Sequence, residues 1–187
     1  TSGKADSHDS AGLNEALFKK LGAAEIIPIK DIDDANNPEI VKQIVEAKAA
    51  KRLGLIYFTG GRQDKLVEAF YGTEVHRLFL DGYITDPNLV IMGNSAGTAA
   101  MSKHMIFSDD ATGEDKILTG LGFLDRIIFD MHMNRSSQVA RLPRLQWAVK
   151  KMNEKLVQPC IGLGIDEGMA LVVKDGKATV DGKATVE

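Results

Sequence analysis

The run Gly93-Asn94-Ser95-Ala96-Gly97 combines residue types and spacing that could do covalent chemistry. A serine with glycine two positions away on each side can occupy a turn too tight for larger neighbours. Between a strand and a helix, such a turn projects the hydroxyl from the carboxyl end of a sheet. Leu89-Val90-Ile91-Met92 precedes it as an apolar, strand-like run, and Ala99 to His104 follows with a helix-compatible pattern. Backbone N–H groups at the helix start would stabilise a developing oxyanion, by about 3 kcal/mol per donor. The five residues alone also describe an ordinary tight turn. The flanking elements are what favour a nucleophile at Ser95.

A serine hydroxyl attacks only if a base takes its proton, and the base needs an acid to orient it. Of the four histidines, His8 lies in the polar start, His76 on an expected surface helix and His104 on the expected helix after the turn. His132 follows the apolar Ile127-Ile128-Phe129, so a strand end would present it. The acid is sought in Asp166-Glu167, which closes the run Gly162-Leu163-Gly164-Ile165. Two adjacent carboxylates there are costly beside a core unless each finds a partner, and one could face the histidine. The alternative is a solvated strand end.

Other chemistries find less support. No His-x-x-His or Cys-x-x-Cys spacing suggests a metal site, and the Gly60-Gly61 pair belongs to neither phosphate-loop pattern. The balance of 23 Lys+Arg against 26 Asp+Glu leaves a formal charge of −3, spread along the chain, which argues against a general nucleic-acid or membrane-surface binder. No apolar stretch approaches the roughly 20 residues that span a bilayer. Cys160, the one cysteine, is expected on a buried strand, so no disulfide framework exists and cysteine usage leaves the compartment open.

The elements that must position these residues alternate. A helix is expected over Leu13–Leu21, a strand at Ile26–Ile29 and a helix opened by Asn36-Asn37-Pro38. Leu55–Phe58 reads as a strand buried on both faces. Helices follow at about 63–71 and 73–81, then the Leu89–Met92 strand. After a polar loop at Ser108–Asp115, Leu118–Asp130 reads as strand and turn, Leu142–Leu156 as helix, and Ile161–Ile165 and Ala170–Val173 as strands. With 44% apolar residues the chain can build one core, and the alternation implies a mostly parallel sheet covered on both faces. The tail repeats Asp-Gly-Lys-Ala-Thr-Val from Asp175 and again from Asp181, which suggests hairpin turns and is assigned no chemistry.

In order along the chain stand Phe58-Thr59-Gly60-Gly61-Arg62-Gln63, the Ser95 turn, Asp130-Met131-His132 and Gly162-Leu163-Gly164-Ile165-Asp166-Glu167. Together these motifs resemble the cyanophycinases of the peptidase S51 family, which also holds aspartyl dipeptidase (peptidase E). The resemblance runs from about residue 12 to 173. It implies a three-layer α/β/α sandwich of the class-I glutamine-amidotransferase kind, with residues 1–187 as one hydrolytic domain. It also implies a Ser95–His132–Glu167 triad, with Gly61 and Ala96 N–H groups as the oxyanion hole. Gln63, Asp130, Arg135, Arg141 and Arg144 would hold substrate, guanidinium groups being apt for gripping carboxylates. The implied substrate is cyanophycin, an aspartate polymer bearing arginine, cut to β-Asp-Arg dipeptides by a homodimer that uses neither metal nor organic cofactor.

The chain departs from the family in places. Arg62 stands where the family has Asp or Asn, and Met131 where it has Gln. The arginines after His132 are spaced by about three extra residues, so that Arg141 and Arg144 match and Arg135 matches poorly. The family's first and last strands are not visible, from which incomplete ends are expected. Two alternatives therefore stand beside a cyanophycinase: a peptidase E-like enzyme acting on Asp-x dipeptides, and a binding homologue without turnover.

Overall fold

Asn37-Pro38 shows how local sequence sets an element in the computed structural model, which describes residues 6–108, 112–134, 141–174 and 177–181. The Asn37 side chain accepts from the Glu39 N–H at 2.9 Å, and Pro38 takes the first helical position, where its missing N–H costs nothing. The helix then runs Pro38–Ala49 with Ile44 and Ala47 buried.

The elements are α1 (Asp6–Lys20), α2 (Ile32–Ala35), α3 (Pro38–Ala49), β1 (Leu55–Phe58), α4 (Gln63–Phe70), α5 (Glu74–Thr85), β2 (Val90–Gly93) and α6 (Ala96–Ala100). They continue as β3 (His104–Ser108), β4 (Asp115–Thr119), β5 (Ile127–Met131), α7 (Arg141–Asn153), β6 (Ile161–Ile165), β7 (Ala170–Lys174) and β8 (Lys177–Asp181). The result is a mixed α/β fold whose chain divides into two compact units, Thr1–Gly97 and Thr98–Glu187.

In the first unit β1 and β2 pair in parallel, Leu55 opposite Val90 through Phe58 opposite Gly93, with α4 and α5 forming the crossover. Phe58 and Phe70 meet edge-on at 5.7 Å, and Phe70 stacks on Phe79 at 6.3 Å, within a core that also buries Ile56, Val75 and Leu78. Thr73 starts α5 by accepting from the His76 N–H at 3.1 Å.

In the second unit β5 and β6 are parallel, from Ile127 opposite Ile161 to Met131 opposite Ile165, and α7 crosses between them. Leu145, Ala148 and Met152 of α7 bury against Ile106, Ile128 and Cys160. The hairpins β3–β4 and β7–β8 are antiparallel.

Several expectations require correction. The strand pairs described are two parallel and two antiparallel, so the sheet pattern is mixed. Ile26–Ile29 joins no ladder; Pro28 cannot donate a ladder bond. The helix after the Ser95 turn ends at Ala100, and His104 opens β3, facing Thr119 in a hairpin that local pattern could not reveal. α5 continues to Thr85, and His76 on it is buried, with Nδ1 accepting from the Gly72 N–H at 3.2 Å. β1 is not buried throughout, because Leu55 is exposed. Cys160 is buried but sits just before β6, its N–H donating to Asn153 Oδ1 at 2.7 Å. Lys177–Asp181, which takes in most of the first tail repeat, pairs with β7 as a hairpin strand; Asp175-Gly176 and 182–187 lie outside the described residues.

Candidate active site

Ser95 follows β2 by two residues and has φ 48°, in the left-handed region that a residue with a Cβ enters at a cost of about 1–3 kcal/mol. The turn is secured on both sides. The Asn94 N–H donates to the Phe58 carbonyl at 3.2 Å, and the Gly97 N–H donates to the Asn94 carbonyl at 2.9 Å. Gly97 is required by contact: a Cβ there would stand 2.1 Å from the Phe58 carbonyl oxygen and 2.9 Å from that of Thr59. Ala96, buried, is the first residue of α6.

The Thr59-Gly60-Gly61 segment leaves β1 on the same side. Gly61 has φ 129°, open to glycine and strained for other residues. A Cβ at Gly60 would lie 3.4 Å from Ser95 Cβ, so the glycine loop abuts the serine turn. Gln63 is the first residue of α4. Arg62, just before it, forks onto Asp64 with Nε–Oδ1 3.1 Å and Nη2–Oδ2 2.8 Å. Burial alone would raise the Asp64 carboxyl, but the Arg62 guanidinium and the backbone N–H groups of Asp64 and Lys65 together hold it below its ordinary value.

His132 and Glu167 belong to the second unit. His132, one residue past β5, also has positive φ, 60°. The register that sets Met131 beside Ile165 brings the two strand ends together, and His132 Nδ1 stands 2.9 Å from Glu167 Oε1. An ionised carboxylate can only accept, so the neutral imidazole tautomer that suits this contact donates from Nδ1 and keeps Nε2 as its accepting nitrogen. Glu167, not Asp166, is thus the histidine's partner. Asn134, which the sequence did not single out, accepts from the Glu167 N–H at 3.0 Å. Its only signal was its place two residues after the histidine.

Asp130 is 2% exposed on β5 and receives two guanidinium groups from the start of α7. Arg141 Nη1 donates to Oδ1 at 3.0 Å, and Arg144 Nε donates to Oδ2 at 2.9 Å with Nη2 on Oδ1. Arg144 also reaches Ser108 Oγ at 2.6 Å, and Ser108 bonds Asp115 across the β3–β4 hairpin. Burial would lower the Arg144 guanidinium, yet the bonds and charges of Asp130 and Asp115 raise it above its ordinary value. Arg141 and Arg144 therefore spend donors on an internal carboxylate. Met131, the next residue of β5, is also buried, and Arg135 lies outside the described residues.

The model of peptidase family S51 matches residues 6–180. The chain belongs to peptidase family S51. Among its S51 relatives, the cyanophycinase of Nostoc sp. (strain PCC 7120 / SAG 25.82 / UTEX 2576) is 30% identical over 179 residues, covering 91% of this chain and 55% of the relative. The cyanophycinase of Synechococcus elongatus is 27% identical over 183 residues, covering 93% and 52%. This S51 chain spans about half the length of the curated relatives it matches. A crystal structure of a peptidase from an acI-B1 Actinobacterium shares the fold, with a TM-score of 0.69 at 23% identity over 98% of this chain and 70% of that one.

Proposed function

We propose that this protein is a serine peptidase of the cyanophycinase type, cutting cyanophycin or a related β-linked aspartyl peptide. The supporting observation is the His132 Nδ1–Glu167 Oε1 contact of 2.9 Å, which suits the tautomer whose Nε2 serves as the base that the mechanism needs. Ser95 Oγ attacks the scissile carbonyl carbon as its proton passes to His132 Nε2, and the oxyanion receives the Gly61 and Ala96 N–H groups. Collapse breaks the C–N bond while His132 returns the proton to the leaving nitrogen. Water then attacks the acyl carbon, giving its proton to His132; the bond from that carbon to Ser95 Oγ breaks, His132 returns the proton to Oγ, and the carboxylate product leaves. No metal or organic cofactor enters these steps. With the reading goes the family's architecture, one three-layer α/β/α sandwich over residues 1–187, acting as a homodimer.

On substrate, Gln63 and Asp130 with Arg135, Arg141 and Arg144 would hold the dipeptide unit. The engagement of Arg141 and Arg144 with Asp130 favours a second reading, a peptidase E-like enzyme for Asp-x dipeptides, since fewer donors are left for a polymer's carboxylates. Release of β-Asp-Arg from insoluble cyanophycin, measured for wild type and Ser95→Ala, tests both. Turnover lost in the variant supports the mechanism, and undiminished turnover overturns it. Wild-type cleavage of Asp-x dipeptides alone selects the second reading, and no turnover on either substrate points to a binding homologue.

A further inference from the structure

The Asn94 side chain is the member of the serine turn that the mechanism above does not use. Its Oδ1 accepts from the Tyr57 O–H at 3.0 Å, and its Nδ2 lies over the glycine loop, 3.2 Å from where a Gly60 Cβ would stand. All of these groups belong to the first unit. We infer that Tyr57 and Asn94 are positioning residues: the tyrosine hydroxyl orients the Asn94 carboxamide so that it spans the Ser95 turn and the Gly60-Gly61 loop and holds them in register.

Three facts carry this. Tyr57 sits on β1 and Asn94 directly follows its parallel partner β2, with Tyr57 opposite Met92, so the hydroxyl reaches diagonally past the end of β2 to the residue before the serine. Tyr57 itself is anchored by an edge contact with Phe18, ring centroids 4.9 Å apart, which limits its swing. Asn94 is held at three points, its N–H on Phe58, its carbonyl by Gly97 and its Oδ1 by Tyr57, so rotation of the carboxamide is the freedom that the hydroxyl removes. Partial burial raises the Tyr57 phenol above its ordinary value, which keeps it a donor through the neutral range. The amide then faces the loop with its NH2 end, close against Gly60. A small displacement of an oxyanion donor from the attacking oxygen is costly in rate, which is why such a strut would matter.

The consequence for rate rests on the proposed role of Ser95; the strut itself does not. Tyr57→Phe keeps the ring and its contact with Phe18 and removes only the hydroxyl, and Asn94→Ala removes the strut. Each is expected to lower kcat, and the rate at which a fluorophosphonate labels Ser95, by about three- to tenfold, with KM within about twofold, the scale of one lost hydrogen bond. In the double variant the losses should not multiply, because the hydroxyl acts only through Asn94. Multiplying losses, or a raised KM with kcat intact, overturn the inference. If wild type neither turns over nor labels, the serine mechanism fails, and the strut is then read from the Asn94 side-chain NH2 resonances in a 1H–15N spectrum. They should shift and exchange faster in Tyr57→Phe, and unchanged resonances overturn the strut.

Discussion

His132 Nδ1 lies 2.9 Å from Glu167 Oε1 although 35 residues separate them. The parallel register of β5 and β6 is the cause, because it ends both strands at the same level. Glu167→Gln keeps the shape but removes the charge that sets the imidazole tautomer. Replacing a fully buried acid of this type costs about 10⁴-fold in kcat. The Glu167 side chain is 43% exposed, so water takes over part of its task and the expected loss is about 10²–10³-fold in kcat with KM little changed. Steady-state kinetics checks this, and a loss under threefold would remove Glu167 from the mechanism.

Gly97→Ala should cost stability before it costs chemistry. The atoms its Cβ would meet, the carbonyls of Phe58 and Thr59, are backbone of β1 and the glycine loop and cannot rotate away. The expected loss is about 3 kcal/mol, the upper end of ordinary overpacking. Urea denaturation followed by circular dichroism measures it, and an unchanged midpoint would mean that the loop relaxes freely.

The Asp130–Arg144 pair predicts an asymmetry. Arg144→Met strips Asp130 of its bidentate partner while the carboxylate stays buried, at an expected cost of about 3 kcal/mol. Asp130→Asn combined with Arg144→Met removes both charges of that pair while leaving Arg141 an amide oxygen to donate to, and should recover part of that loss. Denaturation midpoints of the two proteins decide it, and a double variant weaker than the single would show that the charge itself is not the burden.

His104 gives stability a pH dependence. Burial, and then the neighbouring Lys103 charge, hold its imidazole below the ordinary 6.5. The unfolded chain therefore takes up the proton first as pH falls. Stability from this group is complete above about 6.5, declines below it, and is lost once pH has dropped through the lower folded value. His104→Gln should flatten this part of the melting-temperature profile between pH 7.5 and 5. An unaltered profile would assign the acid sensitivity elsewhere.

Local pattern was enough for the helix opened by Asn36-Asn37-Pro38, the strands Leu55–Phe58 and Ile161–Ile165, and the α7 helix, because each depends on neighbours within a few residues. It misled at His104 and at Ile26–Ile29, where a partner strand, present or absent, decides the outcome. It also misled at His76, whose helix faces a core that the sequence does not display.

The candidate site divides along the same line. By itself the sequence determined the serine turn, since Gly-x-Ser-x-Gly between a strand and a helix leaves the backbone little choice, and the structure finds Ser95 at φ 48°. It also nominated His132 and a pair of carboxylates. Residue pattern alone left Asp166 and Glu167 open and the family resemblance named Glu167; tertiary structure supplies the physical reason, because strand register decides which of the two meets the imidazole. Only tertiary structure turned Arg141 and Arg144 onto Asp130, because a buried carboxylate draws whatever guanidinium the fold brings within reach.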